Sequence, residues 1–419
     1  MTAAAAPEPR DEARLPVIDG VRGLAIFVIM QYHFWGLSFA FFDKSNASRL
    51  DRAASEVRHF GWVSVDLFLV LSGFLITGIL LEAKSGRHRY FTNFYGRRFL
   101  RIFPLYYAFV LFVLLVMPHT GWMSEVAATD QFTQDQGWFW TYLVNVAAST
   151  PDLGAQIPLV HAHIWTLSLE EQYYIIWPLV VLLLNRRLLM VLCLAAPALA
   201  FIFRLAVVEG AFDTLFYQNA AQVLLPARFD CLALGSFVAL AAMEPGGLGR
   251  LARWAPYAAL SAVGVLLVVF LSQGGIEVLD DATLTFGFSA GAILAVSVLV
   301  LALTSSPRMV INRFFAHPVM RAFGTYSYCM YIIHLLVGFE LSAWFIREDL
   351  VRTVGGQHLP FNLAFNAAAT TICFTIAFAS WHLYEKQWLR LKVLFPRTRP
   401  RVLEPSVEPA IAAARSAPS

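Results

Sequence analysis

Apolar residues come in long runs along this chain, separated by short polar or charged stretches. A membrane span needs roughly 20 mostly apolar residues. The pattern predicts about ten such segments, at about 16–40, 60–82, 98–117, 171–185, 187–208, 229–243, 254–273, 284–304, 322–346 and 361–385. The fourth and sixth are short. The predicted fold class is all-α: a polytopic membrane protein whose bundle of about ten transmembrane helices spans 16–390. Residues 1–15 hold acids, alanines and prolines without a short apolar core behind a basic start. They read as a disordered tail, not a cleaved signal peptide. Residues 391–419 read as a second tail.

Composition agrees. Hydrophobic residues make up 58% of the chain and charged residues 14%, whereas a soluble domain is about a quarter charged. The bilayer is the first expected partner. Net charge is +3 and no basic run interleaves with aromatics, so no nucleic-acid partner is expected. Cys193, Cys231, Cys329 and Cys373 lie in apolar segments without paired spacing, which reads as neither a disulfide framework nor a zinc site. His161 and His163 are two apart but have no third histidine at metal-site spacing, so no metal is expected.

Lys and Arg mark the cytoplasmic loops. They gather between the second and third segments (Lys84, Arg87, Arg89, Arg97, Arg98), in later loops on that side, and after the last span. The long 118–170 loop contains neither. Both termini are therefore expected in the cytoplasm, with the chain in the inner (plasma) membrane.

Ionisable groups in hydrocarbon are expensive and are functional candidates. In "RGLAIFVIMQYHF", Arg22 and His33 stand eleven positions apart. At ~100° and ~1.5 Å per residue they fall within about 20° of one helix face and roughly 16 Å apart in depth. Asp19, three residues before Arg22, can pair with it. In "NFYGRRFLRIFPLYY", Arg97, Arg98 and Arg101 gather at one helix entrance, and guanidinium forks suit phosphates. Asp66, Glu170, Glu171, the pair Arg228 and Asp230, His334 with Ser327, Tyr328 and Tyr331 before it, and Glu385 complete a set too large for inert packing. They predict a polar cavity inside the bundle. Trp122, Trp138, Trp140 and Trp165 suit either an interfacial belt or stacking on sugars.

Taken in order, "LPVIDGVRGLAIFVIMQYH", "VDLFLVLSGFLI", "GRRFLRIFPLYY", "WTLSLEEQYYIIWP", "RFDCLALG", "GTYSYCMYIIH" and "SWHLYEKQW" resemble the acyltransferase-3 family of integral-membrane O-acyltransferases. The resemblance covers most of the chain. It implies an enzyme that moves an acyl group, other than an amino-acyl group, from cytoplasmic acyl-CoA, usually acetyl-CoA, to a hydroxyl. The acceptor is typically a sugar, a glycan, a macrolide or another secondary metabolite. Acyl-CoA is then a donor substrate, and no permanently bound cofactor is expected. The family's arginine–histidine motif falls on Arg22 and His33, its arginine pair on Arg98 and Arg101 with Arg97 adjacent, and its serine and glutamate on Ser168 and Glu171. Gln387 departs from the proline often found there. Some relatives carry an extra periplasmic esterase-like domain, and this chain is expected to work without one. In this reading His33 is the general base, since its pKa suits that work at neutral pH. The arginines hold CoA phosphates, Asp66 or Glu171 orients His33 or the acceptor, and Ser327 and Tyr328 are candidate oxyanion donors. The rivals are an exporter of an acylated or glycosylated product and an acyl carrier that takes the group onto His33.

Overall fold

In the computed structural model the described residues are 16–39, 48–86, 89–119, 136–150, 163–212, 218–348, 353–354 and 357–396. The expected tail 1–15, Trp122, His161 and the chain beyond 396 lie outside them. Twelve helices carry the architecture described below. They are α1 (Pro16–Phe39), α2 (Arg49–Arg58), α3 (Val63–Gly86), α4 (Tyr90–Leu111), α5 (Val144–Ser149), α6 (Trp165–Leu183), α7 (Arg186–Val208), α8 (Leu225–Ala242), α9 (Gly247–Gln273), α10 (Phe288–Thr304), α11 (Pro318–Arg347) and α12 (Leu359–Ser380). Among the described residues the only β pairing is an isolated bridge, Val354 with Gln357, so the expected all-α class holds.

Nine helices among the described residues are long and apolar enough to cross a membrane. The tenth long helix, α6, has 19 residues. It starts six residues before the expected segment and carries Glu170, Glu171 and Gln172 in its first turns. Pro178 and Pro197 do not interrupt their spans, because α6 and α7 run on through them. Local chemistry sets several helix ends. Ser48 and Asp51 form a capping box on α2. Asp51, fully buried, also accepts from the backbone N–H groups of His358 and Leu359 and so ties α2 to the entry of α12. Lys84 donates at 2.7 Å to the carbonyls of Val181 and Leu184, closing the C-terminal end of α6. With Gln387 in place of proline, the last helix passes through a π turn (Trp381–Glu385) and continues to Arg390.

Small residues govern how closely the helices pack, as expected where apolar burial gives no drive between helices. A Cβ at Gly23 of α1 would strike the Met320 carbonyl, and one at Gly324 of α11 would strike the Asp19 carbonyl. The pair Gly73 and Gly235 does the same between α3 and α8, against Leu232 and Val70. The two crossings bring backbones, and therefore polar side chains, unusually near one another.

One consequence is a lattice of buried ions. Arg228 of α8 donates to Asp66 of α3 and lies over the Phe288 ring, 4.2 Å from its centroid. Arg204 of α7 pairs with Asp230 at 2.8 Å and donates to the Ala227 carbonyl and, at 2.8 Å, to Ser289. Arg228 and Asp230, two positions apart, are therefore not each other's partners, because that spacing along a helix points their side chains to opposite sides. Gly291 of α10 leaves the space that Asp66 occupies. Breaking a buried pair leaves an uncompensated charge and costs about 3–5 kcal/mol, whereas replacing both partners with apolar groups is far milder. Asp66→Leu or Arg228→Met alone is expected to lower the unfolding midpoint of detergent-purified protein sharply, and the double variant to recover most of the loss. Additive losses in a thermal-shift series would show that the two side chains are not coupled.

Candidate functional site

A cavity, open on one side, lies between α1, α3, α4, α6 and α11. Its walls carry Arg22, Ser72, Arg98, Arg101, Thr166, Glu170, Glu171, Tyr174, Ser327, Tyr328 and Tyr331, set among apolar residues of α3. The polar bundle interior expected from the sequence is thus present. It is two-toned, with three guanidinium groups facing two carboxyl groups.

Each wall residue is held in a particular way. Glu170 accepts from Ser72 at 2.8 Å and from Tyr174 at 2.9 Å. The Arg98 guanidinium lies over the Tyr174 ring, 5.1 Å from its centroid. Glu171 is different: its Oε1 is buried and has no hydrogen-bond partner. Behind it, Gln172 and Asn145 of α5 exchange hydrogen bonds at 2.8 and 3.0 Å, fixing the polar start of α6. Tyr328 donates to the Ile102 carbonyl at 2.7 Å and Ser327 to the Gly324 carbonyl at 2.9 Å. Both hydroxyls line the cavity, and each hydrogen is engaged by a backbone carbonyl.

Arg22 and His33 are placed differently. Arg22 lines the cavity. His33 lies further along α1 and does not line it; its Nδ1 is 3.0 Å from Nε2 of His334. His334 is fully buried, with Nδ1 2.7 Å from the Tyr331 carbonyl. The Tyr331 hydroxyl reaches Thr166 at 2.6 Å and donates to the His163 carbonyl at 3.0 Å. The His163 ring stands edge-on to His334, centroids 4.7 Å apart, with Nε2 3.1 Å from the Ile332 carbonyl. A line of contact therefore runs from the cavity wall at Tyr331 to His334 and on to His33. Among the described residues no three His, Cys, Asp or Glu side chains gather as metal ligands.

Other expected site residues fall elsewhere. Arg97 does not line the cavity; it donates at 3.1 Å to the Phe395 carbonyl of the chain end, because one step along α4 turns it about 100° from Arg98. Asp66, Arg228 and Asp230 belong to the ion lattice and are absent from the cavity wall. Asp19 is buried at the α1–α11 crossing. Ser168 is fully buried with an unpartnered Oγ, and Trp165 packs on the core; neither reaches the cavity. Glu385 accepts from Ser380 at 3.0 Å and lines a smaller hollow with Arg101, Tyr328 and Trp381. The sequence reading passed over Ser72, Tyr174 and Arg204. Arg204, alone among apolar neighbours in "AFIFRLAVV", was the strongest signal missed, since such a charge needs a buried partner.

Among curated proteins, the peptidoglycan O-acetyltransferase OatA of Listeria monocytogenes is 26% identical over 76% of this chain and 49% of the relative. The O-acetyltransferase OatA of Staphylococcus aureus is 22% identical over 80% of this chain and 52% of the relative. The chain thus spans about half the length of these relatives. No solved structure matches. A family model described as an acyltransferase domain matches residues 15–383, nearly the whole bundle and every wall of the cavity. This chain therefore belongs to the acyltransferase-3 family.

Proposed function

We propose that the chain is a multi-pass membrane O-acyltransferase that moves an acyl group, acetyl by preference, from acyl-CoA to a hydroxyl of a glycan. One observation carries this reading: the cavity that Arg22, Arg98 and Arg101 line has Tyr331 in its wall, and the Tyr331 carbonyl leads through His334 to His33. The names of the relatives, which act as O-acetyltransferases and in one case on peptidoglycan, support acetyl as the group and a glycan as the acceptor.

The donor has phosphates at one end and a thioester at the other. Arg22, Arg98 and Arg101 supply the charge-assisted donors that phosphates need. The depth of roughly 16 Å between Arg22 and His33 suits an extended pantetheine arm. His33 takes the proton of the acceptor hydroxyl as its oxygen attacks the thioester carbonyl carbon. A tetrahedral oxyanion forms and the C–S bond breaks. The CoA thiolate leaves, taking its proton from the protonated His33. Every proton and electron pair is thereby accounted for. Glu171, with an unpartnered oxygen in the cavity, orients the incoming group; Asp66 is tied up with Arg228 and is not assigned this task.

His33→Ala is expected to cut acyl transfer by about 10²–10⁴-fold, the usual worth of a general base, with protein yield and elution volume unchanged. Full activity in the purified alanine variant, assayed with labelled acetyl-CoA and acceptor, would remove His33 from this role. Arg98→Met and Arg101→Met are each expected to raise KM for acyl-CoA by about 10- to 100-fold, the worth of a charge-assisted hydrogen bond. Arg97→Met, which turns away from the cavity, should leave KM within about threefold. Equal effects at all three positions would argue for diffuse charge in place of a phosphate site.

We further infer from the Lys and Arg bias that both termini face the cytoplasm of the plasma membrane. Cys193, Cys231, Cys329 and Cys373 are all buried, so a cysteine introduced at exposed Arg250 is the reactive thiol. A membrane-impermeant maleimide should label Arg250→Cys only after the cells are permeabilised. Labelling in intact cells would invert the topology.

A further inference from the structure

Resting on the reading of His33 as the base, we propose that His334 is its positioning residue: it holds His33 in the tautomer that leaves Nε2 open to the acceptor hydroxyl and stabilises the protonated ring after transfer.

The argument is one of donors and acceptors. A backbone carbonyl only accepts, so the 2.7 Å contact between His334 Nδ1 and the Tyr331 carbonyl requires a hydrogen on Nδ1. A neutral imidazole carries one N–H, so Nε2 of His334 holds a lone pair. His33 Nδ1 lies 3.0 Å from that lone pair and must donate to it. The second nitrogen of neutral His33, Nε2, is then unprotonated and is the position at which a proton can be taken up. No other arrangement of neutral rings satisfies the carbonyl and the ring–ring contact together. When His33 gains the second proton, its Nδ1–H bond to His334 becomes charge-assisted, shorter and about twice as strong. The buried carboxylate of a serine-protease triad gives its histidine the same two services. Here a neutral ring performs them, and no ionised carboxylate has to be held beside the base.

The surroundings show that the His334 ring is fixed. It is fully buried, and His163 stands edge-on against it. His163 is itself anchored on α11 by the contact of its Nε2 with the Ile332 carbonyl, and Tyr331 locks the same turn through the His163 carbonyl. The orientation of His334 therefore depends on packing of the turn just before α6 against α11, independently of any ligand.

Nitrogen-15 spectra of histidine-labelled full-length protein in micelles test the tautomer directly. The expected result is His33 protonated at Nδ1 and His334 protonated at Nδ1. His33 protonated at Nε2 would overturn the proposal whatever the activity. In kinetics, His334→Leu is expected to lower kcat by at least about 10²-fold, with KM for donor and acceptor within about threefold. His334→Gln, whose Oε1 can accept near the position of Nε2, should recover at least about tenfold of that loss. A leucine variant with normal kcat, a glutamine variant no better than leucine, or a loss confined to KM would each sink the idea. An inactive His33→Ala beside a fully active His334→Leu would refute His334 alone. An active His33→Ala would refute the base on which it rests.

Discussion

Gly23 and Gly324 let α1 and α11 cross backbone against backbone, and the chemistry proposed above depends on that crossing. A hydrogen bond between two imidazole rings tolerates little more than a few tenths of an ångström around its 3.0 Å length. A side chain at either glycine would meet a carbonyl of the facing helix and push the axes apart. His33 and His334 lie beyond the crossing on the same two helices, so the separation set there is transmitted to them. The rings also sit in a medium where an unpaired polar nitrogen is costly. Each therefore constrains the other.

The interior handles its other charges in two ways. Between α3, α7 and α8, Asp66, Arg228, Arg204 and Asp230 are matched charge for charge and packed against Phe288 and Ser289. In the cavity, Arg22, Arg98 and Arg101 share the wall with Glu170 and Glu171, and Glu170 is held by neutral hydroxyls. The first arrangement pairs ions across helices and holds them together. The second presents its charged groups to an unfilled space. The difference between scaffold and site lies in that opening.

Much of this could be read from one dimension. The apolar runs gave the long helices. The eleven-residue spacing of Arg22 and His33 put both on one face, and the three-residue spacing of Arg98 and Arg101 put both on the cavity wall. Helix periodicity fixes such relations within one helix. It says nothing of which neighbour a given face meets. For that reason Asp66 looked available until Arg228 was seen beside it, and Arg97 looked equivalent to Arg98 until the chain end took its donor. His163 was weighed as half of a metal pair with His161. Its actual contact, the backbone of Ile332, is 169 positions away and leaves no trace in the local sequence.

The hardest helix to see is also among the most important. α6 falls outside the nine helices that hydropathy alone would place in a membrane, because its first turns carry Glu170, Glu171 and Gln172. Those residues are not tolerated at random: Ser72 and Tyr174 satisfy Glu170, and Asn145 satisfies Gln172. Only Glu171 keeps an unpartnered buried oxygen. A hydropathy window reads such a segment as a weak span because it prices each polar group as though it faced lipid. In the folded bundle these groups face a cavity and one another, so a low score on an otherwise helical segment points to where the bundle does its chemistry.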